Sequence, residues 1–226
     1  MSNLSLESNE SLAPLRSSET SKKSRITLDI AGAAIFSALS VVLSLLTTEM
    51  LPRMAWGIAY FDPVSIIWLT AFLVFGFRCG IFTAIIGSIG LMFFDPTPFV
   101  GPVMKFVATI WLMIVPYFII QLSKRRTLTG QDMKKKKFYI QSALIAWGIR
   151  SVVMIALNYL YIAFVFGGVE TIPFYDMSWI GLGMITSNIA IIISVFLLNT
   201  IQTIADVFLP YWLIFSTKIY DHFQIY

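Results

Sequence analysis

Apolar residues fall in long blocks along this chain, separated by short polar breaks. Residues 28–46, 60–77, 80–94, 99–122 and 138–166 form five such blocks, and a sixth, 179–217, has about twice the length of one span. A membrane-crossing helix needs about 20 mostly apolar residues, so each block predicts a transmembrane helix. The second and third are parted only by Arg78 and Cys79, with Gly76 and Gly80 beside them, which predicts a tight turn. Asp95-Pro96-Thr97-Pro98 breaks the third block from the fourth.

The last block can be read in two ways. Two spans would give seven helices in all. Alternatively, an outer cap or interfacial helix over 179–192 leads into one long span from about Ile193 to Phe215. The six-span reading is preferred because it leaves Lys218 on the inner side.

Polar segments complete the plan. Residues 1–25 are rich in serine and carry no apolar periodicity, which predicts a disordered cytoplasmic tail. The membrane domain is expected over 26–217, and 218–226 form a short cytoplasmic tail. Basic residues orient the chain. With the N-terminus inside, the inner segments hold Arg16, Lys22, Lys23, Arg25, Arg78, Lys124, Arg125, Arg126, the run Lys134 to Lys137, and Lys218, while the outer loops hold only Arg53. The expected fold is thus an all-α integral membrane protein, a bundle of six transmembrane helices with both termini cytoplasmic.

Composition agrees. Hydrophobic residues make up 58% and charged residues only 12%, against roughly a quarter charged in soluble domains. Lipid must therefore be the main solvent. The formal charge of +4 is no argument for nucleic acid, because basic residues beside spans face anionic lipid. The single cysteine, Cys79, excludes an internal disulfide. The only histidine, His222, lies in the predicted tail, so no Ser/His dyad and no histidine-based metal site is expected in the membrane. No phosphate-binding loop of the Walker type is present. Neither an enzyme nor a bound metal or cofactor is expected.

Ionisable and amide side chains within spans are costly, so each is a functional candidate. Lys105, Asp62, Asp95, Asn158, Asn199 and Gln202 all fall toward the outer side on this plan, with Trp56, Phe61, Phe99, Tyr159 and Tyr161 at similar depth. Together they predict a pocket for a flat, polar small molecule. Bland alternatives stand beside it: belt aromatics, turn-forming aspartates, asparagines bonding between helices, and a lysine reaching for the outer headgroups. Arg150 and Asp206 fall near mid-membrane, where a structural ion pair is favoured over a proton or ion relay. Ala34 and Ala38 share one face of the first helix, which suits either close packing inside the bundle or docking of a separate membrane subunit.

Several of these residues resemble the substrate-binding S components of energy-coupling factor (ECF) vitamin transporters. Ala34-Ile35-Phe36-Ser37-Ala38 resembles that family's first-helix alanine motif. Phe61-Asp62-Pro63-Val64-Ser65-Ile66 and Phe75-Gly76-Phe77-Arg78-Cys79-Gly80 resemble its second helix and following turn. Asn158-Tyr159-Leu160-Tyr161-Ile162 and Asn199-Thr200-Ile201-Gln202 resemble segments of its riboflavin-binding branch. There are departures: Gln202 stands where that branch has lysine, Gly76-Phe77 where it has Gly-Pro, and Gly87-Ser88 near its Lys-Asn pair. The resemblance implies a subunit of the plasma membrane that captures riboflavin or a related small vitamin. It also implies a transmembrane coupling subunit docked at Ala34 and Ala38, with two cytoplasmic ATPases. Ligand contacts are expected from Asn158, Asn199, Gln202, Lys105, Asp62, Phe61 and Tyr161. An ATP-independent secondary transporter or channel for a small solute is the alternative.

Overall fold

The computed structural model describes residues 4–48, 50–51, 61–123, 130–168 and 174–217, with side chains in the first stretch from Arg25 onward. Six helices are present among them: α1 (Leu4–Thr48), α2 (Val64–Phe75), α3 (Phe77–Leu91), α4 (Val100–Leu122), α5 (Lys136–Phe166) and α6 (Ser187–Ser216). Four contain stretches long and apolar enough to cross a membrane: Arg25–Thr48, Val100–Leu122, Lys136–Val165 and Ser187–Ser216. The stretch expected to be a disordered tail continues α1 as helix from Leu4. Extending an existing helix adds one hydrogen bond per residue without a new nucleus.

Helices α2 and α3 are shorter than the spans the sequence suggests. At 12 and 15 residues they measure roughly 18 and 22 Å, against a hydrocarbon core of about 30 Å. Helix α2 can be short because it is wrapped by protein. It packs against α1, α3, α4 and α6, and every residue from Trp68 to Val74 is buried. The joint to α3 is a single residue, Gly76, with φ 102°, a conformation that L side chains rarely adopt. Close approach follows directly, since a Cβ on Gly80 would lie 2.6 Å from Phe72 Cβ.

The rest of the bundle closes around α2. Helix α1 packs on α2 and α3, α3 on α4, α4 on α5, α5 on α6, and α6 returns to α2. Outward faces carry Ile35, Leu46, Val152, Phe164 and Trp212, side chains suited to lipid. On α1 the buried stripe is Asp29, Ala33, Ser37, Ser40 and Ser44. Ala34 and Ala38 lie on the exposed side, so the expectation of packing inside the bundle does not describe them.

The final apolar block contains one span. It is preceded by a two-stranded antiparallel hairpin, β1 (Phe174–Asp176) and β2 (Met184–Thr186), joined across a 3₁₀ turn at Ser178–Ile180. The expected helical cap is therefore a strand pair. Gly181 and Gly183, both at positive φ, make the turn and rule out a continuous helix there. Buried Met177 pins the hairpin to α6, where Ser194 Oγ donates to its sulfur at 3.2 Å. Helix α6 starts at Ser187, six residues before the expected start near Ile193. The predicted tail beginning at Lys218, with His222, lies outside the described residues, as do Arg53 and Trp56.

Candidate functional site

The short α2 leaves its first turn inside the bundle, and polar groups gather there. Asp62 Oδ1 accepts from the Val64 N–H at 3.0 Å, an Asp-Pro turn that leads into the helix. The Asp62 main chain is held from α6. Its N–H donates to Gln202 Oε1 at 2.8 Å, and its carbonyl accepts from Gln202 Nε2 at 2.6 Å. Gln202 Nε2 also lies 2.8 Å from Asp206 Oδ1, so both ends of this amide are committed to the protein. In lipid such satisfaction is obligatory, because no water reaches an open backbone group.

Two ion-pair clusters flank this junction. Lys105 Nζ, on α4, stands 2.9 Å from Asp62 Oδ2 and 3.0 Å from Asp95 Oδ2. It thus turns inward to paired carboxylates, not out to the headgroups. Asp95 lies in the turn between α3 and α4, where its Oδ1 accepts from the Thr97 N–H and hydroxyl, each at 2.9 Å. Burial alone would raise the Asp95 pKa. The Lys105 charge and the Thr97 hydrogen bonds outweigh it and hold the carboxyl below its ordinary range.

The second cluster is fully buried. Arg150 Nη1 donates to Asp206 Oδ2 at 2.8 Å, and Arg150 Nε donates to Asn199 Oδ1 at 3.0 Å. Asp206 Oδ1 accepts from Ser65 Oγ and from Gln202. The pairing favoured on sequence grounds is thus present, with every carboxylate oxygen satisfied. That saturation offsets the cost of desolvating two charges.

These groups surround a cavity of about 130 Å³. Its walls combine Asp62 just before α2, Ser65 from α2, Thr97 from the α3–α4 turn, and Val100, Gly101, Met104, Lys105, Ala108 and Thr109 from α4. Arg150, Met154, Asn158 and Tyr161 come from α5, and Leu198, Asn199 and Gln202 from α6. Of the seven residues expected at a ligand, Asp62, Lys105, Asn158, Tyr161, Asn199 and Gln202 line this space. Phe61 is half-buried and outside the lining. Tyr159 instead donates to the Asn188 carbonyl at 2.9 Å, and Phe99 is exposed. The expected aromatic wall is mostly methionine, alanine and leucine, because Tyr159 is one residue off the inward face marked by Asn158.

Sequence depth had separated Arg150 from the pocket. Helical spacing joins them: Arg150, Met154 and Asn158 recur every four residues, and Tyr161 follows at three. The early start of α6 has the same effect. It puts Asn199 roughly 18 Å along that helix, beside Arg150. Among the described residues, no group of three or more His, Cys, Asp or Glu side chains is placed to hold a metal.

A multi-pass membrane bundle with a polar cavity among α2, α4, α5 and α6 is the class of protein this geometry defines. Among solved structures the chain is similar to the S component of a bacterial ECF transporter, with a TM-score of 0.60 and 18% identity over 85% of this chain and 95% of that one. At that identity the likeness concerns the fold. No protein-family model matches the sequence, and no curated protein does.

Proposed function

We infer that the chain is the substrate-binding membrane subunit of an ECF-type uptake transporter, taking riboflavin or a related small vitamin from the outer face. The observation that carries this is a partly desolvated polar cavity inside a bundle of S-component fold. Sites for small ligands have this character, with an apolar wall and a few placed polar groups. Lys105, Asp62, Asn158, Asn199 and Tyr161 contact or frame the ligand. The excess of basic residues on one side orients the N-terminus to the cytoplasm of the cell that carries the protein in its plasma membrane. The exposed pair Ala34 and Ala38 offers a small-residue face on which a transmembrane coupling subunit docks, and two cytoplasmic ATPases supply the energy.

Copurification tests the reading. Protein purified in mild detergent should retain a vitamin, and riboflavin would colour it yellow. A preparation with no bound ligand, no thermal shift across a vitamin panel and no association with a coupling subunit would sink it. Solute uptake into liposomes by this chain alone would favour the secondary-transporter alternative, with Arg150 and Asp206 as relay groups. Against a relay, the four side-chain hydrogen bonds of that pair all close on groups within the bundle.

A further inference from the structure

The amide expected to read the ligand is already spent, and a buried guanidinium beside it is not. Gln202 uses its oxygen and both amide hydrogens on Asp62 and Asp206. Asn199 uses Oδ1 for Arg150 and one amide hydrogen for the Val195 carbonyl. Arg150 has its Nε on Asn199 and an Nη1 hydrogen on Asp206. Its Nη2, with two N–H donors, has no partner among the described residues. Arg150 is only 3% exposed and lines the cavity, so that free edge has the cavity to face. A charged donor on a cavity wall is a strong point of attachment for any group that can accept from it.

We propose, on the binding-subunit reading, that Arg150 is the polar anchor at the floor of the pocket, and that the ligand is a neutral molecule offering it a carbonyl acceptor of the amide or imide kind. Two features fix the donor in place before any ligand arrives. Asp206 and Asn199 grip the guanidinium from α6, and Ser65 and Gln202 hold Asp206 in turn. A ligand therefore meets a planar donor with no side-chain freedom left to freeze, which raises affinity per contact.

Charge argues for neutrality. The cluster holds two cations, Lys105 and Arg150, against three carboxylates, Asp62, Asp95 and Asp206, in direct ion-pair contact with them. A ligand carboxylate would add a fourth negative charge to a space that already has one in excess. A neutral carbonyl takes the same N–H donors without that repulsion. Asn158 completes the pattern. It sits two helical repeats from Arg150, roughly 12 Å along α5, and its Nδ2 donates to the Met154 carbonyl at 2.8 Å. That bond fixes the amide and leaves Oδ1 as an acceptor. The ligand accepts at the floor and donates nearer the mouth.

The test uses the full chain in lipid nanodiscs. Riboflavin is titrated by quenching of its fluorescence, and nicotinamide and nicotinate serve as a matched neutral and anionic pair read by thermal shift. Arg150→Lys keeps a cation opposite Asp206 and removes the Nη2 edge. It should weaken whichever neutral probe the wild type binds by roughly 10- to 100-fold, the loss expected for one hydrogen bond from a charged donor. A purely structural Arg150 would instead lower thermal stability and leave the affinity of the folded protein unchanged. Joint replacement, Arg150→Met with Asp206→Met, leaves no orphaned charge and should fold without binding. Wild-type affinity in either folded variant, or nicotinate binding more tightly than nicotinamide, overturns the assignment while the binding-subunit reading stands. A wild type that binds none of a vitamin panel overturns that reading, and the Arg150 assignment with it.

Discussion

Replacing Lys105 by methionine should destabilise the protein in a way that acid reverses. The ammonium lies 2.9 Å from Asp62 Oδ2 and 3.0 Å from Asp95 Oδ2, so these oxygens are within about 6 Å of each other. Methionine fills much of the same volume but leaves two carboxylates facing one another in a poorly solvated site. Their repulsion at that separation is about 3 kcal/mol for an effective dielectric near 20. Removing one partner of a buried pair costs about 3–5 kcal/mol, which for a chain of this size lowers the melting temperature by roughly 10 °C. The pH dependence is the sharper readout. In the wild type the Asp95 pKa is held down, so its stabilisation is complete above the usual carboxylate pKa of about 3.9 and is lost as pH falls through the lower folded value. Melting temperature should be flat in this respect from pH 7 to 5. In Lys105→Met the two carboxylates come to share a proton, and one folded pKa rises above its unfolded value. Stability should then increase as pH falls from 7 to 5. Thermal unfolding followed by tryptophan fluorescence across that range decides it. A variant as stable as the wild type, or one that loses stability on acidification over pH 7 to 5, would refute the ion-pair reading.

Three further outcomes follow from single sites. Gln202→Leu removes the partner of both Asp62 main-chain groups and should cost about 1–3 kcal/mol for each polar group left dry, seen as a lower melting temperature even without ligand. Gly80→Val places a side chain where a Cβ alone meets Phe72 Cβ at 2.6 Å; overpacking of about 1–3 kcal/mol should appear as reduced monodisperse yield and lower thermal stability. Ala34→Trp with Ala38→Trp alters only an exposed face of α1. On the proposed function, stability and ligand binding by the isolated chain should remain while copurification of a coupling subunit is lost; an intact complex would remove these alanines from the docking face.

Hydropathy was enough to read the bundle because lipid imposes length and composition on every exposed helix. α4 and α5 begin and end within about two residues of the apolar blocks that predict them. The failures fall where protein, not lipid, surrounds the chain. Helix α2 starts at Val64, directly after an Asp62 whose main chain is held by Gln202 from α6, a tertiary contact across 140 residues that no local pattern carries. The cap before α6 reads as apolar whether it is helix or hairpin, and only Gly181 and Gly183 hint at the turn. Within the site, depth alone grouped Asn158 with Tyr159 and set Arg150 apart. The period of 3.6 reverses both choices, and the sequence carried that signal in the spacing of Arg150, Met154 and Asn158.

Fold and site are built from the same bonds. A 12-residue helix in a membrane bundle leaves backbone groups at depth, and Gln202 meets them from α6. Holding Gln202 requires Asp206, Asp206 requires a cation, and Arg150 supplies it. Arg150 then lines the cavity that the short helix leaves open above Ser65. Tuning of specificity is constrained by that chain of dependence. Gln202→Lys offers no acceptor for the Asp62 N–H and adds a second cation beside Asp206. The added charge would cancel the one negative charge in excess across Asp62, Asp95 and Asp206, but it would stand against Arg150 for the same carboxylate and leave the Asp62 N–H open. The presence of glutamine at 202 with Lys105 on α4 is one self-consistent solution of that balance, in which the cations sit on α4 and α5 and leave α6 to orient them.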